Sequence, residues 1–422
     1  MKKGITTRLV SHQILYSLKK NNTSFDEILN FNISKYSLSL SDRKMVHNIV
    51  LSSMRYNLYI KKILFFYVKK KLSINQYLLL LSAITQMIFL NFKDYATINT
   101  TVELAKHKDI KVFPGFINAV LKNILKDKIN IQNTEIEHKN LPKWFVEQTQ
   151  HWNLKKKKLF VSSIRDRPNL HLVFKNENVI KNFNYKSFPT TNLSKIIDNK
   201  SLINNVSRYH DGEWWIQDFV TMLPIYLTPN LTGKNIIDMC AAPGGKSFQI
   251  LSLNANLDII EINKKRANIM KENLSRLRMS NKIQILDALN LNESKKYDVV
   301  LVDAPCTSVG TIRRNPEIFF RDSIPNFNKI SILQEKLLNK AKQIVKSRGL
   351  IIYMVCSFLK FETIIQITNF LEKNSNFKID KFNLDYEKTN LIDKNGFINT
   401  IPIEFKNFNI DGFFAARLIK ND

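Results

Sequence analysis

Between Gly4 and Pro114 this chain contains neither glycine nor proline. A β-rich or loop-rich domain needs those residues at its turns, so the gap leaves a bundle of helices as the expected fold of the N-terminal part. Apolar spacing agrees with that reading. Val10, Ile14 and Leu18 recur every fourth residue, as do Val46, Val50 and Met54, which is how core-facing helical stripes are written. The longest apolar stretch, Tyr77 to Leu90, is interrupted by Ser82, Thr85 and Gln86. It falls short of the ~20 residues a membrane span requires and is expected to be a buried helix.

Glycine is scarce throughout: the 422 residues include ten, where average usage of about 7% would give roughly 30. The chain carries 64 Lys and Arg against 36 Asp and Glu, a formal charge of +28. Such an excess suits a polyanion-binding protein, with Lys69 to Lys71 and Lys155 to Lys158 as local runs. Lysine, asparagine and isoleucine are all abundant, however, as a drift towards A/T-rich codons would make them, so charge alone does not decide for nucleic acid. Three cysteines supply no disulfide framework, and their spacing does not resemble a zinc knuckle. The start, Met1 to Arg8, leads into an amphipathic helix rather than a signal-peptide core, and the expected compartment is a reducing cytoplasm.

From Gly233 the pattern alternates between strands and helices. Ile236–Ile237, Ile259–Ile260, Ile283–Ile285, Val299–Val302, Leu350–Tyr353 and Phe413–Leu418 are predicted strands, with helices over Lys264 to Leu277 and Ile332 to Ile344 between them. The order is that of a doubly wound α/β sheet. Three domains are expected: 1–130 all helical, 131–230 a basic linker or RNA-binding subdomain, and 231–422 the α/β domain. The middle segment holds all four tryptophans, Trp144, Trp152, Trp214 and Trp215, beside Arg165, Arg167 and Arg208. Such a mixture can stack on and neutralise a nucleic acid. Taken singly, each tryptophan is as well explained as core.

Chemistry concentrates where the predicted strands end, which is where open α/β sheets gather ligands and catalytic groups. Cys306 follows Asp303-Ala304-Pro305, Cys356 follows Met354-Val355, and Cys240 lies in Asp238-Met239-Cys240-Ala241-Ala242-Pro243-Gly244-Gly245-Lys246-Ser247. Gly245-Lys246-Ser247 looks like the end of a P-loop. That comparison fails, because a P-loop has glycine where Cys240 stands and Pro243 removes an N–H that would cradle phosphate. S-adenosylmethionine suits the loop better: it has no phosphates and needs close backbone approach, which Ala241, Ala242, Gly244 and Gly245 allow. Glu261, after Ile259–Ile260, is expected to accept from the ribose hydroxyls, as the acidic residue of dinucleotide sites does. Asp287, ending the next strand, is expected to meet the adenine amino group. A helix cap is the usual role of an acidic residue in such a place, but two at consecutive strand ends favour a cofactor.

These segments, together with Arg313-Arg314-Asn315-Pro316-Glu317, Val355-Cys356-Ser357 and Asp411-Gly412-Phe413-Phe414, resemble the ordered motifs of the RNA cytosine-C5 methyltransferases. The helical part is similar to the NusB-like domain of the branch that methylates one cytosine of bacterial 16S rRNA, through Asp42-Arg43-Lys44, Arg55 and Asn118-Ala119-Val120-Leu121. The resemblance covers nearly the whole chain. It implies a Rossmann-like methyltransferase domain that uses S-adenosylmethionine, 16S rRNA as partner, and Cys356 as the nucleophile. Glu261 stands where the family more often has aspartate, and Val355 where it has threonine. The chemistry then gives Asp303 as the group meeting charge at N3 and the exocyclic amine, Lys246 as its support, and Cys306 as the aid to elimination. Cys240, Ala241, Ala242, Pro243, Gly244, Gly245, Lys246, Glu261, Asp287 and Asp303 are the expected cofactor-binding set. No metal is expected. A tRNA cytosine methyltransferase, or an RNA-binding assembly factor without catalysis, would share the motifs.

Overall fold

A computed structural model describes residues 3–21, 23–132, 134–197, 203–383 and 391–422, which form two compact units. One unit comprises Met1–Asp166 with Ile312–Pro325, the other Arg167–Thr311 with Asn326–Asp422. Residues 131–230 are thus divided between the two at Asp166.

The first unit is helical: α1 (Lys3–Lys20), α2 (Phe25–Tyr36), α3 (Leu40–Tyr67), α4 (Ile74–Ile84), α5 (Asp94–Ala105) and α6 (Pro114–Lys126), followed by shorter pieces. With no glycine or proline to end them, α2, α3 and α4 begin on serine caps. Ser24, Ser39 and Ser73 each accept from the amide three residues on, which satisfies a donor the helix leaves open. Val10, Ile14, Leu18, Val46 and Val50 are completely buried, and Met54 nearly so, so both stripes face the core. The stretch expected as a buried helix is α4 continued by a π-helical turn over Thr85–Phe89; Leu78 to Ile88 are buried on every face, with Ser82, Thr85 and Gln86 hydrogen-bonded within the helix. Among the described residues no helix is long and apolar enough to cross a membrane.

Ile312–Pro325 completes this unit from far along the chain. Phe320 sits in the helical core, Arg55 donates to the carbonyl of Arg313 at 2.9 Å, and Lys19 pairs with Asp322 at 2.6 Å. Trp144 and Trp152 are buried among Phe145, Phe160 and Phe319. Their rings serve packing.

The second unit opens with a small antiparallel sheet of β1 (Leu170–Phe174), β2 (Ser187–Thr191), β3 (Ser194–Ile197) and β4 (Trp214–Ile216), in the order β2-β3-β1-β4. Trp214 and Trp215 are buried here, and the Trp214 indole donates to the Ser207 carbonyl at 2.8 Å.

The main sheet contains β5 (Asn235–Asp238), β6 (Asn256–Ile260), β7 (Ile283–Gln284), β8 (Tyr297–Asp303), β9 (Val345–Val355), β10 (Phe377–Ile379) and β11 (Ile398–Thr400). After a hairpin of β12 (Ile403–Phe405) and β13 (Phe408–Ile410), β14 (Phe413–Lys420) returns to it. The order is β10-β14-β9-β8-β5-β6-β7, with β11 paired to β14. Strands β9, β8, β5, β6 and β7 are parallel, and β14 runs antiparallel to β9. Alternate residues feed two cores. Ile236, Val299, Leu301 and Met354 pack with the helices Gly245–Ser252 and Lys264–Arg276, whereas Ile237, Val300, Val302 and Tyr353 pack with Phe327–Ile344 and Ile364–Lys373. Helices therefore cover both faces, and the continuous β-branched runs follow from that double burial. From β5 the chain winds to β6 and β7 on one side, then crosses to β8 and β9 on the other. The switch point lies between the ends of β5 and β8, where a ligand crevice is expected.

Candidate active site

The turn after β5 is tied down strand by strand. Met239 donates to the Leu301 carbonyl at 3.1 Å and Ala241 to that of Ile260 at 3.0 Å. Asp238, buried at the strand end, accepts from the Ser247 hydroxyl at 2.7 Å. Burial first, then the neighbouring Asp303 charge, push its carboxyl up to about 6 despite the Ser247 bond. Gly244 has φ +111°, and a Cβ there would lie 2.3 Å from the Phe248 ring. Only glycine fits this corner. The helix Gly245–Ser252 starts directly after it.

Glu261, at the end of β6, is buried and accepts from Ala242 N at 3.1 Å and Asn263 N at 2.8 Å. Arg266 stands 3.8 Å away and also donates to the Ala242 carbonyl. Each carboxylate oxygen retains a further acceptor site. A buried carboxylate joined to a turn that approaches by its backbone is a fitting seat for a ribose diol. Asp287 is half-buried and caps the turn Ala288–Asn290, accepting from Leu289 N at 3.0 Å. Pro243 is exposed at the rim of the turn, and Cys240 is half-buried. Burial, with Asp238, Asp303 and Glu261 around it, drives the Cys240 thiol far above its usual range. That holds it in the inert thiol form.

Lys246, from the first turn of the helix, reaches Asp303 at the end of β8, with Nζ 2.7 Å from the carboxylate. Burial alone would lower the Lys246 pKa, but Asp303 and the nearby Cys356 more than offset it, and the ammonium is held charged. Cys356 directly follows β9. Burial and then Asp303 push its thiol up to about 12, while Lys246 pulls it down. Cys306, three residues beyond β8, is driven well up by burial, then by Glu362 and Cys356. The two thiols are thus at the ends of neighbouring strands, Cys356 beside the Lys246–Asp303 ion pair and Cys306 beside the Glu362 carboxylate.

Their loops are locked through the backbone. Gly310 donates to the Cys356 carbonyl at 3.0 Å and Gly412 to the Gly310 carbonyl at 2.9 Å. A Cβ on Gly310 would fall 1.9 Å from the Gly412 oxygen. Glu362, which sequence reasoning missed, is completely buried beneath both loops and accepts from Thr307 N at 2.7 Å, from the Thr307 hydroxyl at 2.7 Å and from the Ser357 hydroxyl. A lone acidic residue in Lys360-Phe361-Glu362 carries no local mark of this. Its partners lie up to 55 residues away. The Lys155 to Lys158 run lies in the other unit, on the helix Leu154–Ser163, with Lys155 and Lys158 exposed.

Two family models match the chain: "16S rRNA methyltransferase RsmB/F" over residues 224–419 and "NusB family" over residues 5–126. The Pectobacterium atrosepticum protein named "Ribosomal RNA small subunit methyltransferase B" is 25% identical, with 81% of this chain and 82% of that protein covered. The Bacillus subtilis protein named "Probable ribosomal RNA small subunit methyltransferase B" is 25% identical over 99% of both chains. Among solved structures, NSun6 from Pyrococcus horikoshii with SFG shares the fold at a TM-score of 0.57 and 16% identity, covering 67% of this chain and 98% of that one. Residues 224–419 form a methyltransferase domain of the RsmB/F family, preceded by a NusB-family helical domain over residues 5–126.

Proposed function

We propose that this protein transfers a methyl group from S-adenosylmethionine to C5 of one cytosine in 16S rRNA through a covalent bond from Cys356 to C6. The observation that carries the reading is the pair of thiols at neighbouring strand ends, Cys356 beside the Lys246–Asp303 ion pair and Cys306 beside Glu362. Bound in the crevice, S-adenosylmethionine would supply an electrophilic methyl group. The glycine corner at Gly244 and the Glu261 carboxylate support its placement there, and SFG, an analogue of it, is in the NSun6 crystal. Ala241, Ala242, Pro243 and Gly245 line the approach, with Asp287 towards the adenine end.

Cytosine C5 is a poor nucleophile until a thiolate adds at C6. As the Cys356 Sγ–C6 bond forms, the thiol proton leaves, and Asp303 is the adjacent group able to carry it to N3. Lys246 holds Asp303 in place and favours negative charge on Cys356. The electron pair gathered at C5 then takes the methyl group. Cys306, once its own thiol proton has passed to water, accepts the C5 proton as a thiolate whose raised pKa makes it a strong base; the C5–H electrons restore the C5=C6 bond, the C6–S bond breaks with its pair returning to Cys356, and the N3 proton goes back through Asp303 to that sulfur. A base must leave its stack to reach two strand-end thiols, so the target is an unpaired cytosine of rRNA not yet enclosed in the subunit, met in the cytoplasm.

Bisulfite sequencing of 16S rRNA and tRNA from a strain lacking the gene tests the assignment. One cytosine of 16S rRNA should lose its protection, and purified protein should restore it on naked RNA. Loss confined to tRNA would redirect the substrate, and no loss in either RNA would leave a binding factor.

A further inference from the structure

We propose that Glu362 is a positioning residue whose buried carboxylate clamps the Cys306 loop to the Cys356 loop, setting the distance between the two thiols. The inference rests on the methyl-transfer reading and extends it to a residue outside the thiol and cofactor machinery. Thr307 is next in sequence to Cys306, and Ser357 is next to Cys356. One oxygen of Glu362 accepts from Thr307 N at 2.7 Å and from Gln334 Nε2 at 3.3 Å, and the other from the Thr307 and Ser357 hydroxyls. Gln334, itself fully buried, also donates to the Pro305 carbonyl at 2.9 Å, one residue before Cys306. The Tyr353 hydroxyl of β9 fixes the Glu362 carbonyl at 2.8 Å. Pro305 and Thr307, on either side of Cys306, and Ser357, after Cys356, are thereby referred to one carboxylate.

A fully buried carboxylate is costly unless paired or well hydrogen-bonded, and among the described residues this one meets neutral donors and no cation. Burial raises its pKa, and the bonds from Ser357, Thr307 and Gln334 work against that rise. A neutral side chain would fill the space at less cost. The charge has a consequence beyond packing, because it disfavours the thiolate at Cys306. The clamp sets where the thiols stand.

Three variants separate the two arms: Glu362→Gln removes the charge, Thr307→Val unties the Cys306 hydroxyl strap and Ser357→Ala the Cys356 strap. Adduct formation is read on denaturing gels with target RNA carrying 5-fluorocytosine, where fluorine blocks release. Release is read from the adduct remaining on ordinary RNA. Thr307→Val should form adduct normally and retain it, Ser357→Ala should form it slowly, and Glu362→Gln should be impaired in both steps by about tenfold or more, as expected when reacting groups lose their alignment. Calorimetric affinity for S-adenosylmethionine should not change. Iodoacetamide labelling read by mass spectrometry should show Cys306 reacting faster in Glu362→Gln than in wild type. Equal behaviour of Thr307→Val and Ser357→Ala, or wild-type turnover and labelling in folded Glu362→Gln, would overturn the clamp. If wild-type protein forms no adduct, the methyl-transfer reading fails, and the labelling rates still test whether Glu362 governs the thiols.

Discussion

The helical unit and the α/β unit use backbone freedom in opposite ways. From α2 to α5 the chain forms its helices with no glycine, relying on serine caps and on side chains that interdigitate. In the α/β unit, Gly244, Gly310 and Gly412 sit within the candidate site, where a Cβ would collide with backbone or a packed ring, or the chain turns left-handed. One region is specified by what its side chains fill. The other is specified, at its working end, by what must be missing.

The contrast can be broken most severely at the thiols. Cys356→Ala should abolish adduct and methyl transfer while both units stay folded, and Cys306→Ala should attack, transfer and then accumulate an adduct that survives denaturing electrophoresis. The reverse pattern would make Cys306 the nucleophile. Next in size is Gly310→Ala: a Cβ 1.9 Å from the Gly412 oxygen must displace backbone, at about 3 kcal/mol, the upper end of overpacking. Urea denaturation measures this. A cost near zero would show that the three loops are not locked.

Glu261→Ala should weaken S-adenosylmethionine by about 1.5–3 kcal/mol, the range for hydrogen bonds to a charged group, and unchanged calorimetric affinity would remove Glu261 from the site. The reactivity of Cys356 sharpens the electrostatic side. With its thiol pushed up to about 12, it is protonated below that pH and thiolate above it, so labelling should climb with pH through 10 without levelling. Levelling near pH 9 would mean that burial does not perturb it. Smallest of all is Gly115→Ala in α6. Its Cβ would be 2.9 Å from the Phe113 ring, which is 74% exposed and free to swing, so helix propensity should make the change neutral or stabilising by up to about 1 kcal/mol. A large loss there would erase the contrast.

Legibility followed the range of the interactions. Val10, Ile14 and Leu18, the buried α4 and the strands from β5 to β9 are set by local periodicity, so they can be read directly. The sheet of β1 to β4 could not be. Its strands are short, and β2, Ser187–Thr191, contains a proline and three hydroxyl residues without alternation. Asp287 and Glu261 look equivalent in sequence, yet only Glu261 is buried against the turn after β5, a difference created by packing. Glu362 was invisible for the same reason, since its meaning lies in Thr307 and Gln334. The tryptophans pointed equally to stacking on RNA and to core, and burial decided for core.

Phe320 has a consequence for the order in which the protein can be made. The helical unit leaves the ribosome first, but the ring that fills its core arrives about 150 residues after Asp166. Until then the bundle carries an open apolar socket, and a fragment cut at Asp166 would keep it open permanently. The domain that begins synthesis is therefore finished only when the site-bearing half is well under way, which couples the maturation of the one to the successful translation of the other.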